Sequence, residues 1–109
     1  MSWGPDELII EFSPDYVELR VRVDQDGPDY RDFSLQLVAI IEGEYFPVML
    51  YDCSHGAAPH RDVLNWDGTT LRKTPVWSGL SYREAFNHAY DDLAVNWERY
   101  VDSFIRRRP

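Results

Sequence analysis

Alternating apolar and polar side chains mark the clearest strand of the chain. Residues 16–23 read YVELRVRV, and the side chains change character at almost every step. A period of two residues is that of a β-strand with one face against a core and the other in water. The sequence therefore predicts a half-buried strand here. Its apolar face holds Val17, Leu19, Val21 and Val23, and its polar face holds Glu18, Arg20 and Arg22.

Three further apolar runs predict strands on either side of this one. Residues 6–12 form a short run, and residues 33–41 begin by alternating and end apolar on both faces, as in a central strand. Residues 45–53 form the next run, which includes Pro47. Because proline has no amide hydrogen for the ladder, we expect a sheet edge or a bulge at Pro47.

An Asp-Gly pair predicts a hairpin in the second half of the chain. Asp67 and Gly68 separate two runs of β-favouring residues, and such a pair is a strong signal for a tight turn between antiparallel strands. We expect these strands at about 60–66 and 70–77. Earlier, residues 24–32 carry four aspartates around a glycine. They lack the Gly and Glu positions of a calcium-binding EF-hand loop, so we expect a solvated turn.

Towards the C-terminus, the spacing of apolar residues changes from that of a strand to that of a helix. Apolar residues recur at spacings of three and four, which predicts one amphipathic helix over about 81–106. Most of the side chains on its apolar face are aromatic. The positions expected to face the core are Tyr82, Phe86, Ala89, Tyr90, Leu93, Trp97, Tyr100, Val101 and Phe104.

Polar residues fit the ends and the exposed side of this helix. Ser81 and Glu84 match a capping box, in which each side chain accepts a hydrogen bond from an otherwise unpaired backbone N–H. Arg106–Arg108 lie where the helix dipole favours cations. His88 stands between Glu84 and Asp92 at four-residue spacing, and surface pairing is expected there.

These elements predict a single α+β domain over residues 1–109. An antiparallel β-sheet meander of four to six strands, at about 7–77, has one face covered by the long C-terminal helix, which gives two layers. A chain of 109 residues is too short for a second hydrophobic core.

Composition and charge limit the compartments in which we expect the protein and the partners that we expect it to bind. No apolar run approaches the roughly 20 residues that span a bilayer, and no basic residue precedes the first apolar run, so we expect neither a membrane segment nor a secretory signal. A single cysteine, Cys53, excludes an internal disulfide and suits the reducing cytoplasm. The net charge of −8 opposes nonspecific binding to nucleic acid, which depends on neutralisation of phosphates by Lys and Arg.

Reactive side chains are concentrated in residues 51–68, YDCSHGAAPHRDVLNWDG. His60 and Asp62 are two residues apart on a predicted strand, so both side chains are expected on one face. His55 follows the end of the preceding strand, and the three residues converge if the two strands are neighbours. Two imidazoles can then share the acid and base roles in phosphodiester cleavage while the carboxylate orients one ring. The catalytic candidates are therefore His55, His60 and Asp62.

The same residues allow other interpretations. Two neutral imidazoles and a carboxylate can hold a divalent transition metal, although the sequence identifies no particular metal and no cofactor. The histidines can also bond to backbone carbonyls, with Asp62 paired to Arg61 or Arg72 at the surface. Cys53 and His55 suggest a thiolate nucleophile, but a lone cysteine in a strand is more often a small buried apolar group.

Several of these segments resemble a known group of proteins. The segment YDCSHG, the following PHRD, the Asp-Gly turn and the helix YREAFNHAYDDLAVNWERY resemble small uncharacterised prokaryotic proteins. They are also loosely similar to the TumE-like toxins of toxin–antitoxin pairs. The resemblance covers about residues 33–106. It implies a compact α+β domain, an RNA-directed hydrolase with His55, His60 and Asp62 at its site, and an antitoxin-like protein partner.

The alternative function is that of a non-catalytic protein-interaction module, such as a homodimer. The acidic net charge favours a protein partner over nucleic acid. Trp66 and Trp77 flank the predicted turn, and we expect the hairpin to bring them near each other. The hydrolase interpretation predicts that overexpression slows growth through His60, whereas the interaction interpretation predicts self-association.

Overall fold

The strands of the sheet follow one another in chain order. The computed structural model describes residues 6–53 and 58–109, which form one antiparallel sheet and one helix. The predicted α+β architecture of two layers is confirmed, with six strands. The elements are β1 Asp6–Ser13, β2 Val17–Asp26, β3 Asp29–Ile41, β4 Glu44–Cys53, β5 His60–Leu64, β6 Thr70–Pro75 and α1 Tyr82–Arg106.

The acidic segment 24–32 contains the predicted exposed turn between two strands, but the turn is shorter than expected and most of the segment belongs to the strands. β2 continues to Asp26 and β3 begins at Asp29, so a two-residue turn joins them. Gly27 has a φ of 60°, which glycine adopts without steric strain. Asp29 accepts a hydrogen bond from the backbone N–H of Arg83 at 3.0 Å, and this bond lowers the pKa of the Asp29 carboxyl. The turn is thereby joined to the start of α1.

A β-bulge accommodates Pro47. The register between β3 and β4 shifts at Leu37 and Val38, which lie opposite Met49 and Pro47. Val48 is the extra residue that this shift leaves without a partner in the ladder. Pro47 also lies outside the paired part of β4 and β5, which covers Met49–Asp52, so it has a bulge on the β3 side and no ladder partner on the β5 side.

The hairpin predicted at Asp67 and Gly68 is present, with shorter strands than expected. β5 ends at Leu64 and β6 begins at Thr70. The Asp67 carboxylate accepts hydrogen bonds from the Thr69 hydroxyl at 2.6 Å and from its backbone N–H at 3.0 Å. Gly68 supplies the positive φ of 85° that closes the turn.

Helix α1 starts at the predicted capping box. The Ser81 hydroxyl accepts from the N–H of Glu84 at 3.1 Å, and the Glu84 carboxylate accepts from the N–H of Ser81 at 3.3 Å. Ala85 is fully buried, and the sequence analysis did not include it among the core-facing positions. The predicted face is otherwise confirmed: Ala89, Leu93, Val101 and Phe104 are buried, and Tyr82, Phe86, Tyr90, Trp97 and Tyr100 pack against the core. No helix among residues 6–53 and 58–109 is long and apolar enough to cross a membrane.

The sheet has one face under α1 and one open face. The odd-numbered residues of β2 lie under the helix, as predicted, and Leu19 is completely buried there. Glu18, Arg20 and Arg22 lie on the open face, but Glu18 is 8% exposed and was expected in water. The Nε of Arg20 donates to the Glu18 carboxylate at 2.8 Å, and this charged hydrogen bond compensates for the burial.

Trp66 and Trp77 lie at different ends of the helix layer. Trp66 stacks on Phe104 with ring centroids 4.5 Å apart, whereas Trp77 stacks on Tyr51 at 5.2 Å and on His88 at 5.6 Å. Because Phe104 and His88 are separated by about 24 Å of helix at 1.5 Å per residue, the prediction that the hairpin brings the two tryptophans together is wrong. Both side chains support the core instead.

Candidate functional site

His60, Asp62 and Asp52 meet on the open face of the sheet. His60 and Asp62 are alternate residues of β5, so the pleat directs both side chains to this face. Asp52 of β4 lies directly opposite His60 across the antiparallel pair. The structure therefore brings together two of the predicted residues and adds a carboxylate that the sequence analysis missed. His55 lies outside the described residues.

The imidazole of His60 lies between the two carboxylates. Its Nε2 is 2.5 Å from Oδ1 of Asp52 and 3.9 Å from Oδ2 of Asp62. Asp52 is therefore the closer acid and occupies the orienting position that the sequence analysis gave to Asp62. The His60 side chain keeps 22% of its surface exposed, so a ligand on the open face can reach the ring.

Two buried carboxylate oxygens in this cluster have no hydrogen-bond partner among the described residues. They are Oδ1 of Asp52 and Oδ1 of Asp62. The short approach of His60 to Asp52 is thus a close contact without an aligned N–H···O bond. A buried acceptor without a donor is unfavourable. A donor group that reached these oxygens would therefore be stabilised here.

The pattern of residues around Asp52 indicates which face of the sheet its side chain occupies. It is the polar residue between Tyr51 and Cys53, both of which are buried on the helix side of β4. A polar side chain between two buried ones in a strand points to the opposite face. The pairing of β4 with β5 then places it opposite His60.

A cavity of about 670 Å³ lies on the same open face, next to the cluster. Ser34 on its wall lies opposite Asp52, and Leu50 on its wall lies opposite Asp62. The cluster therefore begins one strand spacing, about 5 Å, from the cavity wall. The volume is within the range of pockets that hold small ligands. The cavity is lined by Glu7, Leu8, Ile9, Arg20, Val21, Arg22, Ser34, Gln36 and Leu50.

Two arginines place positive charge on the wall of this cavity. Arg20 is paired with Glu18 at 2.8 Å, and Arg22 lies 3.4 Å from the carboxylate of Asp32. These ion pairs fix the guanidinium groups and partly neutralise them. The cavity therefore offers oriented donors to a polar ligand without a strong positive field.

Cys53 is buried on the helix side of β4. Burial raises the pKa of its thiol to about 11, so the thiolate form is rare at neutral pH. The thiolate is the nucleophilic form of cysteine. The structure therefore supports the interpretation of Cys53 as a small buried apolar group.

A second polar cluster joins α1 to the sheet on the covered face. Asp92 accepts hydrogen bonds from the hydroxyls of Tyr51 at 2.6 Å and Tyr100 at 2.7 Å and from the amide of Asn96 at 2.9 Å. Burial, together with the bond to Asp92, raises the pKa of both tyrosine hydroxyls, so they remain donors at neutral pH. The prediction that Asp92 pairs with His88 on the helix surface is wrong, because Asp92 faces the sheet.

The described part of the chain contains no group of three or more His, Cys, Asp or Glu side chains arranged to hold a metal ion. Within residues 6–53 and 58–109, the metal interpretation of the histidine cluster thus gains no support. An imidazole beside two carboxylates can take part in proton transfer.

The fold and the site define a class of protein: a two-layer α+β protein whose open sheet face carries a ligand-sized cavity beside a histidine–carboxylate cluster. A family model with the description "Domain of unknown function (DUF7718)" matches residues 4–109, and the chain belongs to this family. Searches among curated proteins and among solved structures found no match. The similarity to TumE-like toxins stays a prediction.

Proposed function

We propose that the protein is a small hydrolase that holds its substrate in the open-face cavity and transfers protons through His60. The observation that carries this proposal is the position of one imidazole between two carboxylates at the border of a cavity of about 670 Å³. Imidazole gains and loses a proton near neutral pH. A partly exposed imidazole beside a ligand cavity is therefore suited to general acid–base catalysis.

Each residue of the cluster has a separate role in this proposal. Asp52, at 2.5 Å, holds the ring of His60 in place. His60 delivers a proton to the leaving group. Asp62 is the second carboxylate beside the ring, with Oδ2 at 3.9 Å from Nε2 of His60, and this oxygen accepts the proton of the attacking hydroxyl or water. His55 is a second candidate for the base, as the sequence predicts.

The proposed substrate is a phosphodiester in a short single-stranded RNA. The resemblance to TumE-like toxins suggests RNA, and the arginines on the cavity wall suit a phosphate group. A net charge of −8 opposes binding along a long duplex. A short segment that places one phosphate in the cavity avoids most of this repulsion.

Replacement of His60 by asparagine tests the proposal. Asparagine keeps a polar side chain but cannot carry the proton, so we expect His60→Asn to slow cleavage of a single-stranded RNA oligonucleotide by about 100-fold or more. The measurement is the initial rate with purified protein at neutral pH. The growth defect expected on overexpression should be relieved by the same substitution.

The matched control is His88→Asn, which makes the same change at an exposed residue of α1 stacked on Trp77. This variant should cleave at the rate of the unmodified protein. Equal rates for His60→Asn and the unmodified protein, or no cleavage by the unmodified protein, would contradict the proposal.

A second candidate function is that of a protein-interaction module that pairs with another copy of itself. Strand β1 forms one edge of the sheet and exposes Leu8 and Ile9, at 58% and 59%. An exposed edge strand with apolar side chains is a template for pairing with another strand. The other edge, β6, carries Lys73 and Pro75, residues that discourage such pairing.

Light scattering during size-exclusion chromatography tests this second candidate. We expect a mass near twice the 12.8 kDa of one chain at micromolar concentration, and Ile9→Lys should shift the protein to a monomer. Leu71→Lys makes the same change on the opposite edge strand and should leave the dimer intact. A monomer at all concentrations would eliminate self-association.

A further inference from the structure

A smaller cavity of about 200 Å³ lies on the covered side of the sheet, between α1 and strands β4 to β6. Three arginines contribute to its lining, in a chain with a net charge of −8. Arg61 comes from β5, Arg72 from β6 and Arg107 from the residue after α1. We call this cavity the arginine pocket. Its remaining lining consists of Val48, Met49, Val63, Tyr100 and Ser103.

None of the three arginines lies within 4.0 Å of a carboxylate of the described residues. Five of the seven other arginines in the described chain do form such ion pairs, and Arg83 and Arg99 do not. The five are Arg20, Arg22, Arg31, Arg106 and Arg108. In an acidic protein, three neighbouring arginines with no carboxylate of the described residues within 4.0 Å leave a local positive charge. This charge attracts an anion into the pocket.

The guanidinium groups also have buried donors that are not used. The Nε atoms of Arg61 and Arg107 are buried and have no hydrogen-bond partner within the described chain. Arg107 is fixed by a hydrogen bond from its Nη2 to the carbonyl of Leu64 at 3.2 Å and by the ring of Phe104, 5.8 Å from its guanidinium carbon. Buried donors normally have acceptors, and the described chain supplies none for these two, so the positive charge of both guanidinium groups is incompletely compensated.

The charge of the pocket matches a phosphate group. Asp92 is the acid that interacts with Arg61, and its oxygens already accept from Tyr51 and Tyr100. Three guanidinium charges and one carboxylate leave a net positive charge of two. A phosphate monoester carries about −1.5 to −2 at pH 7, and guanidinium groups bind phosphate oxygens in a bidentate manner.

The volume of the arginine pocket suits one small chemical group and is too small for a whole drug-sized ligand. A volume of about 200 Å³ is below the roughly 300–1,000 Å³ of pockets that enclose whole small molecules. It holds several water molecules at about 30 Å³ each, or one tetrahedral oxyanion. We propose that the arginine pocket binds a phosphate group, as the free ion or as the end of a phosphomonoester, on the opposite side of the sheet from His60.

Titration of the protein followed by ¹H–¹⁵N NMR at constant ionic strength tests this proposal. The probes are inorganic phosphate, adenosine 5′-monophosphate and adenosine. We expect saturable shifts around Arg72 and Ser103 with both phosphate-containing probes and none with adenosine. Tighter binding of the free ion would identify phosphate itself as the ligand, and tighter binding of the nucleotide would identify a phosphomonoester. No saturable shift with either phosphate probe would overturn the proposal.

Substitutions at two adjacent residues of β6 distinguish phosphate binding at a specific site from general attraction to positive charge. Arg72 lies opposite Val63 and faces the pocket, whereas Lys73 lies opposite Asp62 on the open face. Both are exposed, so both variants should fold. We expect Arg72→Gln to weaken phosphate binding about tenfold and Lys73→Gln to leave it nearly unchanged. Equal weakening by the two substitutions would show attraction to charge alone and contradict the pocket.

Discussion

Replacement of Asp92 by alanine is expected to lower the free energy of unfolding by about 3 kcal/mol. The carboxylate accepts from Tyr51, Tyr100 and Asn96 at 2.6–2.9 Å. A hydrogen bond to a charged group contributes about 1.5–3 kcal/mol, and donors left without an acceptor add a further penalty. Water replaces part of this loss because Asp92 is half-buried. The alanine variant also leaves Arg61 without its nearby acid.

Urea unfolding followed by tryptophan fluorescence measures this change. Asp91→Ala is the matched control, because it removes the same group from the preceding, exposed residue of α1. Exposed substitutions of this kind usually change stability by less than about 0.5 kcal/mol. If the two variants unfolded at the same urea concentration, the hydrogen bonds of Asp92 would make no net contribution to stability.

Replacement of Phe104 by alanine is expected to lower the free energy of unfolding by about 3–5 kcal/mol. The ring is completely buried in the last turns of α1 and stacks on Trp66 at 4.5 Å. It also lies 6.3 Å from the ring of Phe46 in β4. Its removal leaves a cavity where the helix, β4 and the hairpin meet. For a domain of this size, such a loss is a large part of the total stability.

Ile105→Ala provides the control for Phe104, since Ile105 is the next residue of α1 and is 46% exposed. Its truncation should cost less than about 1 kcal/mol. The measurement is the shift in denaturation midpoint at constant m-value. A similar shift for both variants would mean that the helix end is frayed and that the stacking on Trp66 adds little.

The secondary structure could be predicted from the sequence because apolar residues recur at regular spacings, every second residue in strands and every three or four residues in the helix. The alternation in β2 and the helical spacing in α1 each reflect one buried face, and burial is the largest favourable term in folding. The strand ends were less predictable. Asp26 and Asp29 have low intrinsic preference for strands, yet they face each other across the β2–β3 ladder. Tertiary pairing overrides the local preference at these positions.

The candidate site was predictable only as far as it depends on one strand. His60 and Asp62 share a face because the pleat has a period of two. The place of Asp52 depends on the register between β4 and β5, which no local pattern in the sequence fixes. The same limit applies to Asp92, whose partner Tyr51 is 41 residues away. Contacts between distant segments depend on the assembled fold.

The pairing of each strand with its neighbour in sequence has a consequence for the nascent chain. Successive hairpins can form as they leave the ribosome, but the helix that covers Phe33 and Leu35 follows all six strands. At 5–20 residues per second, synthesis of the 25 residues of α1 takes about 1–5 s. For that time the sheet presents its apolar face to solvent, and exposed apolar surface of this kind is what chaperones bind.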